Sequence, residues 1–202
     1  METRRPGFWN DIYADGHPPW DMASPAPPLV AALEKLPTPS GGTALVPGCG
    51  YGNEAILLGE MGWSVTAVDF APAAVERVAK RAEGLPVSVL ERDIFGLEQD
   101  FAGYFDLVLE HTCYCAIPPA MRGEYARVMA TTLKEKGGLV GLFWEVAGEG
   151  PPYSADPEDI RGHFSEHFRI DRLEKADNSF AERRGEEWVV TLRKLETSDG
   201  NY

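Results

Sequence analysis

The stretch Ala44–Asp69, ALVPGCGYGNEAILLGEMGWSVTAVD, constrains the fold of this chain more than any other. A short apolar run (Ala44, Leu45, Val46) enters a tight loop carrying Gly48, Gly50 and Gly52. From Glu54 the pattern is helical, with Ile56, Leu57 and Leu58 apolar and Gly62 as a C-terminal stop. A second apolar run, Val65 to Val68, ends in Asp69. Strand, glycine loop, helix, strand and terminal acid together describe a nucleotide-binding crossover unit. Glycines let the backbone approach a ligand, a helix N-terminus offers free amides, and the acid can take two ribose hydroxyls.

The spacing separates two ligand classes. A dinucleotide fingerprint places its third small residue at position 53, which here is Asn53. The third glycine instead comes one residue early, at Gly52. This Gly-x-Gly-x-Gly form resembles the S-adenosylmethionine (AdoMet) dependent methyltransferases of the Rossmann-like class. The resemblance implies a loop lying under the methionine part of the cofactor, with Asp69 on the ribose.

A length of 202 residues fits one domain with a real core. The net charge of −13, from 19 basic against 32 acidic residues, opposes binding to nucleic acid or an anionic membrane surface. No apolar run approaches the length of a membrane span. The N-terminal METRRPGFWNDIY has basic residues but no apolar region behind them, so no signal peptide is expected and a cytoplasmic location is. Cys49, Cys113 and Cys115 form no disulfide framework, and Cys113-x-Cys115 lacks a matching pair for a tetrahedral metal site. Reduced, packed thiols near the ligand pocket are expected, and no metal.

Ahead of the nucleotide unit, residues 1–28 form an arm dense in aromatics and prolines. Pro18, Pro19, Pro25, Pro27 and Pro28 argue against regular structure until about Leu29, where a short helix begins. Trp9, Tyr13 and Trp20 must pack on something. They cover a sheet edge, or they fold over the cofactor as a lid whose rings attract a sulfonium cation. After Asp69, APAAVERVAKRAEGL reads as an amphipathic helix, and Val87 to Leu90 as a strand delivering Asp93, Ile94 and Phe95. An acid followed by apolar residues there suits an adenine. A strand from Phe105 to Leu109 leads into Glu110, His111, Thr112 and the cysteine pair, followed by a helix over 119–133. Gly137-Gly138 turns into a buried strand ending at Trp144. Asp156 or Ser154 caps a helix near 157–167, and two antiparallel strands close the chain.

WNDIY…PPWD, LVPGCGYG, VTAVDFAPAAVE, FDLVLEHTCYCAIPPAMR and GEGPPYSAD resemble the thiopurine S-methyltransferase family. They are most similar to its branch acting on thiols, thiocyanate and halides, over Trp9 to about Arg193. The resemblance implies AdoMet as cofactor, bound by Trp9, Tyr13, Trp20, Gly48, Gly50, Gly52, Asp69, Asp93, Ile94 and His111. The chain departs from the family at Glu110-His111, where an acid-aromatic or acid-arginine pair is common, and at Met22-Ala23-Ser24, where a glycine-containing turn is usual.

The expected architecture is α/β, a Rossmann-like seven-stranded, mostly parallel sheet with helices on both faces. An antiparallel hairpin from about Phe168 to Arg193 and the N-terminal arm complete it. The expected activity is methyl transfer to a small nucleophile such as a thiol, thiocyanate or halide, by a monomer. That reaction needs alignment and desolvation more than acid or base groups, with His111 as the one histidine available to a neutral thiol. Glu110, Tyr114, Trp144 and Tyr153 are candidates for the acceptor pocket. The alternatives are a nicotinamide-dinucleotide oxidoreductase, weakened by Asn53, and an AdoMet-binding protein without catalysis.

Overall fold

A computed structural model describes residues 5–16, 18–36 and 41–196. Helix α1 (Pro6–Ala14) and helix α2 (Pro27–Leu33) lie in and after the arm. Then follow β1 (Thr43–Pro47), α3 (Asn53–Glu60), β2 (Ser64–Asp69), α4 (Pro72–Arg81), β3 (Val87–Glu91) and α5 (Glu98–Phe101). The chain continues through β4 (Phe105–His111), α6 (Arg122–Thr132), β5 (Leu133–Trp144), α7 (Pro157–Phe164), β6 (Phe168–Lys175) and β7 (Glu187–Lys194).

The seven strands form one sheet in the order β3-β2-β1-β4-β5-β7-β6. β1 to β5 pair in parallel, and β7 runs antiparallel to both β5 and β6. This is the expected mostly parallel sheet with an antiparallel end. The helix-bearing crossovers between the first five strands return the chain to the same end of the sheet and make them parallel, whereas β6 and β7 have no helix between them long enough to carry the chain back. The order reverses between β1 and β4, which opens a crevice at the carboxyl ends of those strands.

Each face of the sheet carries its own core. Leu45, Val108, Leu139 and Phe143 point to one face, where Tyr125, Met129, Ile160 and Phe164 from α6 and α7 cover them. Ala44, Val46, Leu107, Leu109, Val140 and Leu142 point to the other, under Leu29, Leu33, Ala55 and Leu58 of α2 and α3. Adjacent residues on one strand thus serve opposite cores, which is why these strands read as continuous apolar runs.

Two local expectations are corrected. The arm is helical over Pro6–Ala14, because the prolines that argued against structure begin at Pro18, and Pro6 is tolerated in the first turn. Trp9 and Tyr13, four residues apart, are thereby stacked on one helix face. Gly137 and Gly138 lie within β5 rather than before it. A Cβ on Gly138 would sit 2.7 Å from the Leu192 carbonyl oxygen, so this glycine serves close approach of the antiparallel β7. Among the described residues no helix is long and apolar enough to cross a membrane.

Candidate active site

The loop after β1 turns at Gly48 and Gly50 with φ of +54° and +51°, values that favour glycine. At Gly48 space is also short, since a Cβ there would lie 2.6 Å from the Cys113 Sγ. The loop is held by Asp69 at the end of β2. Its Oδ2 accepts from the Gly50 amide at 2.9 Å and its Oδ1 from the Ala71 amide at 2.9 Å. Burial pushes the Asp69 carboxyl above its ordinary value, against the pull of those amides.

A cavity of about 420 Å³ opens over these strand ends. Its floor is Gly48, then Asp69 and Phe70 after β2, Asp93, Ile94 and Phe95 after β3, and Thr112 and Cys113 after β4. Phe8, Trp9, Ile12, Tyr13 and Trp20 of the arm form one wall. Cys115, Ile117, Met121, Trp144, Pro151 and Pro152 form the other. Asp93 shapes its own loop by accepting from the Phe95 amide at 3.0 Å. A smaller recess of about 40 Å³ adjoins, bordered by Gly48, Gly50, Gly52, Glu54, His111 and Thr112.

The arm is packed into this site. Trp20 meets Trp9 and Tyr13 edge-on, with ring centroids 5.4 and 5.7 Å away. The Tyr51 hydroxyl donates to the Tyr13 carbonyl at 2.9 Å, and Asn10 Oδ1 accepts from the Ala73 amide at 3.0 Å. One helix face therefore covers α4 and the glycine loop, not the expected sheet edge, and also lines the cavity.

The structure brings together Trp9, Tyr13, Trp20, Gly48, Asp69, Asp93, Ile94 and Trp144 around the large cavity. Gly50, Gly52 and His111 border the recess instead. Glu110, Tyr114 and Tyr153, expected at an acceptor pocket, border neither. Glu110 is turned inward, accepting from the Tyr114 amide at 2.8 Å and from the Tyr125 hydroxyl, and burial raises its pKa. The Tyr114 hydroxyl donates to Asp159 at 2.9 Å beneath the Arg122 guanidinium, and burial holds it well above the ordinary phenol value. Tyr153 joins loops: its amide donates to the Cys115 carbonyl at 2.7 Å and its carbonyl accepts from Arg122 at 2.9 Å. All three brace the wall from behind: Glu110 sits at the buried end of β4 and its carboxylate is taken by neighbouring donors, and the two tyrosines tie the segments after β4 and β5 together.

Phe95 and Thr112, read from sequence as residues delivered by strand ends, line the cavity as well, whereas Phe70, Met121, Pro151 and Pro152 were not anticipated. Phe70 follows the end of β2 directly, and that position was the available signal. Thr112 has φ +60°, a strained conformation for a β-branched residue. The three cysteines are free and buried. Burial, then the Glu110 charge, pushes the Cys115 thiol up to about 12, and Cys113 is raised for the same reasons. Both are neutral thiols, hence soft lining rather than nucleophiles. His111 Nδ1 donates to Glu54 Oε1 at 2.7 Å. Burial would lower the His111 pKa, but the Glu54 carboxylate outweighs it and holds the imidazole above its ordinary value. Glu54 is correspondingly held below its own, its burial outweighed by His111.

The donor set suits AdoMet: a glycine cradle too tight for side chains, a buried acid at a ribose position, and aromatic faces around an apolar space. Several known proteins are similar to this chain. The thiopurine S-methyltransferase family profile matches residues 4–197. A probable thiol methyltransferase 2 of Arabidopsis thaliana is 34% identical over 159 residues, 76% of this chain and 69% of that protein. Thiocyanate methyltransferase 1 of Brassica oleracea is 29% identical, covering 96% of this chain and 88% of its own. Among solved structures, a Burkholderia thailandensis 1,6-didemethyltoxoflavin N1-methyltransferase with bound S-adenosylhomocysteine superposes with TM-score 0.72 at 23% identity, covering 95% and 87%. The chain belongs to the thiopurine S-methyltransferase family and is an AdoMet-dependent methyltransferase.

Proposed function

We propose that this enzyme methylates small soft nucleophiles, thiols foremost, with thiocyanate and halides as further candidates. The observation that carries this reading is the wall facing the arm, Cys115, Ile117, Met121, Trp144 and two prolines, with Cys113 in the floor beside it: apolar and polarizable, with no general base among them. Trp9, Tyr13, Trp20, Gly48, Gly50, Gly52, Asp69, Asp93 and Ile94 hold the cofactor in this reading. Asp69 takes the ribose, and Asp93 with Ile94 the adenine. His111 stays paired with Glu54 beside the methionine end. The protein acts as one domain with the arm as its cap, a monomer in the cytoplasm without nucleic acid or membrane partners.

When bound, AdoMet supplies a methyl group already activated by its sulfonium. The chain's own residues then have three tasks. The aromatic wall accepts the cation on its ring faces. The apolar wall strips water from an incoming anion, which raises its nucleophilicity. The rigid strand ends hold both in line. The titratable groups lining the large cavity, among the described residues, are Tyr13, Asp69, Arg92, Asp93, Cys113 and Cys115. Two are acids engaged with backbone amides, burial holds the two thiols and the Tyr13 phenol neutral, and Arg92 is paired with Asp100, so a thiol acceptor enters as the thiolate.

An acceptor screen with methyl-labelled AdoMet tests this, using small thiols, bisulfide, thiocyanate, iodide and thiopurines. For a thiol, kcat/KM should rise with pH up to the acceptor's own pKa, while thiocyanate and iodide show no such rise. AdoMet binding without turnover of any acceptor would leave the non-catalytic reading standing. A thiol profile set by an enzyme group, independent of the acceptor's pKa, would sink the base-free one.

A further inference from the structure

The segment between α1 and α2 crosses the site as a strap, and three buried side chains grip it. Arg183, just before β7, donates from Nη2 to the Trp20 carbonyl at 2.9 Å. Asn53 donates to Asp21 Oδ1 at 2.9 Å, and Glu54 Oε1 accepts from the Ala26 amide at 3.2 Å. The outer two grips are linked through the core. Glu54 holds His111 Nδ1 at 2.7 Å, and His111 Nε2 lies 3.4 Å from Arg183 Nη1. Arg183 is further paired with Glu187 at 3.4 Å and lies over the Trp144 ring, its Cζ 4.6 Å from the centroid.

This arrangement is costly for a structural device. Arg183 is 3% exposed and Glu187 1%. Glu187 Oε2 has no hydrogen-bond partner among the described residues. A buried ion pair rarely adds net stability over well-packed apolar residues, so its use lies in fixing one arrangement. What it fixes is the backbone of Trp20, the residue whose ring meets both Trp9 and Tyr13 and borders both the cavity and the recess. The guanidinium fork is suited to this: one nitrogen faces the core carboxylate and the other the strap, so strap and sheet are set by a single planar group.

We propose that Arg183 is a positioning residue for methyl transfer, setting the Trp20 ring over the cofactor end of the cavity through the Trp20 carbonyl. Glu54 and Asn53 anchor the far side of the same strap. The inference rests on the proposed cofactor role of Trp20. Arg183 belongs to the far, antiparallel edge of the sheet, so the C-terminal hairpin takes part in cofactor binding without touching the cofactor.

A double-mutant cycle read by AdoMet calorimetry tests it. Arg183→Met should weaken AdoMet about ten-fold, the scale of one lost charged hydrogen bond. In a Trp20→Ala background the same change should cost almost nothing further, because the ring it positions is gone. Hydrogen exchange of amides 20–26 should also quicken in Arg183→Met. If Arg183→Met does not fold, Arg183→Lys serves, since it keeps the charge and loses the fork; affinity should fall at unchanged melting temperature. Equal loss from the Arg183 substitution in both backgrounds, or unchanged affinity with unchanged exchange, overturns the proposal. Should Trp20→Ala alone leave AdoMet affinity unchanged, the cofactor role of Trp20 fails, and quickened exchange at 20–26 would still report whether Arg183 holds the strap.

Discussion

Asp69 holds the glycine loop and, in the proposed reading, takes the ribose, and the two together set what its removal does. Both oxygens already bind loop amides, at Gly50 and Ala71, so the acid shapes the glycine turn before any ligand arrives. Asp69→Ala should cost AdoMet binding about 1.5–3 kcal/mol, read by calorimetry, through a lost charged acceptor and a loosened loop. Unchanged affinity would remove Asp69 from the site. Glu54 and His111 make a second residue-scale prediction. Burial opposes the charge on each, yet their mutual attraction leaves His111 raised above 6.5 and Glu54 lowered below 4.5. A raised histidine contributes stability fully present below its unfolded value, and loses it as pH rises through the folded one. A lowered glutamate contributes stability present above its unfolded value, lost as pH falls through the folded one. The pair therefore stabilises most between about pH 4.5 and 6.5, with Arg183 and Glu187 the other charges facing the imidazole. Denaturant unfolding should show the wild-type advantage over His111→Gln shrinking as pH rises above that window. A constant difference from pH 6 to pH 9 would mean the imidazole does not titrate against Glu54.

At the scale of elements, α7 supports the wall opposite the arm although none of its residues lines the cavity. Asp156 caps it, its Oδ1 accepting from the Glu158 and Asp159 amides at 2.9 Å each. Asp159 then accepts from the Tyr114 hydroxyl and pairs with Arg122 at 2.8 Å, and Arg122 holds the Tyr153 and Ser154 carbonyls. Asp156→Ala should lower unfolding free energy by about 0.5–2 kcal/mol, with Asp156→Asn recovering most of it. No change in the denaturation midpoint would show the cap to be dispensable. The helices and strands of the crossover unit were legible because each carries its own start, stop and period: glycine turns, Pro72 opening α4, apolar runs buried on both faces. Helix α1 was not, since the prolines downstream dominated the reading of the whole arm. The acids and glycines of the site were legible for the same local reason, as they sit at strand ends. That Glu110, Tyr114 and Tyr153 line neither cavity nor recess was not legible, because position in the chain does not say which way a side chain turns. The Arg183 grip was invisible, as it joins residues 163 positions apart with no local signature.

For the whole molecule the question is whether the arm is part of the fold or part of the binding event. The packing supports both, and the energetics can be separated. Trp9 and Tyr13 are buried against Tyr51, Ala71 and Ala74, so that end of the arm is anchored on α4. Trp20 is only half-buried, held by Arg183 on its carbonyl and by Tyr13 and Trp9 on its ring, and the polar grips of Asn53 and Glu54 follow it along the strap. The strap around Trp20 is thus the weaker part, held by few buried apolar contacts, and opens first. A ligand that fills the cavity beneath Trp20 binds the closed strap and not the open one, so saturating AdoMet lowers the open population by the factor 1 + [L]/Kd, about 100-fold at 100 Kd. Limited proteolysis should therefore cut within residues 16–28 more slowly with AdoMet present, while cutting near Trp9 and Tyr13 changes little. S-adenosylhomocysteine, which lacks the positive charge that the ring faces attract, should protect less than AdoMet at equal concentration. Trp20→Ala should remove that difference between the two ligands before it removes protection altogether. Equal cutting with and without AdoMet at saturating concentration would make the strap fixed cover, closed before the cofactor arrives.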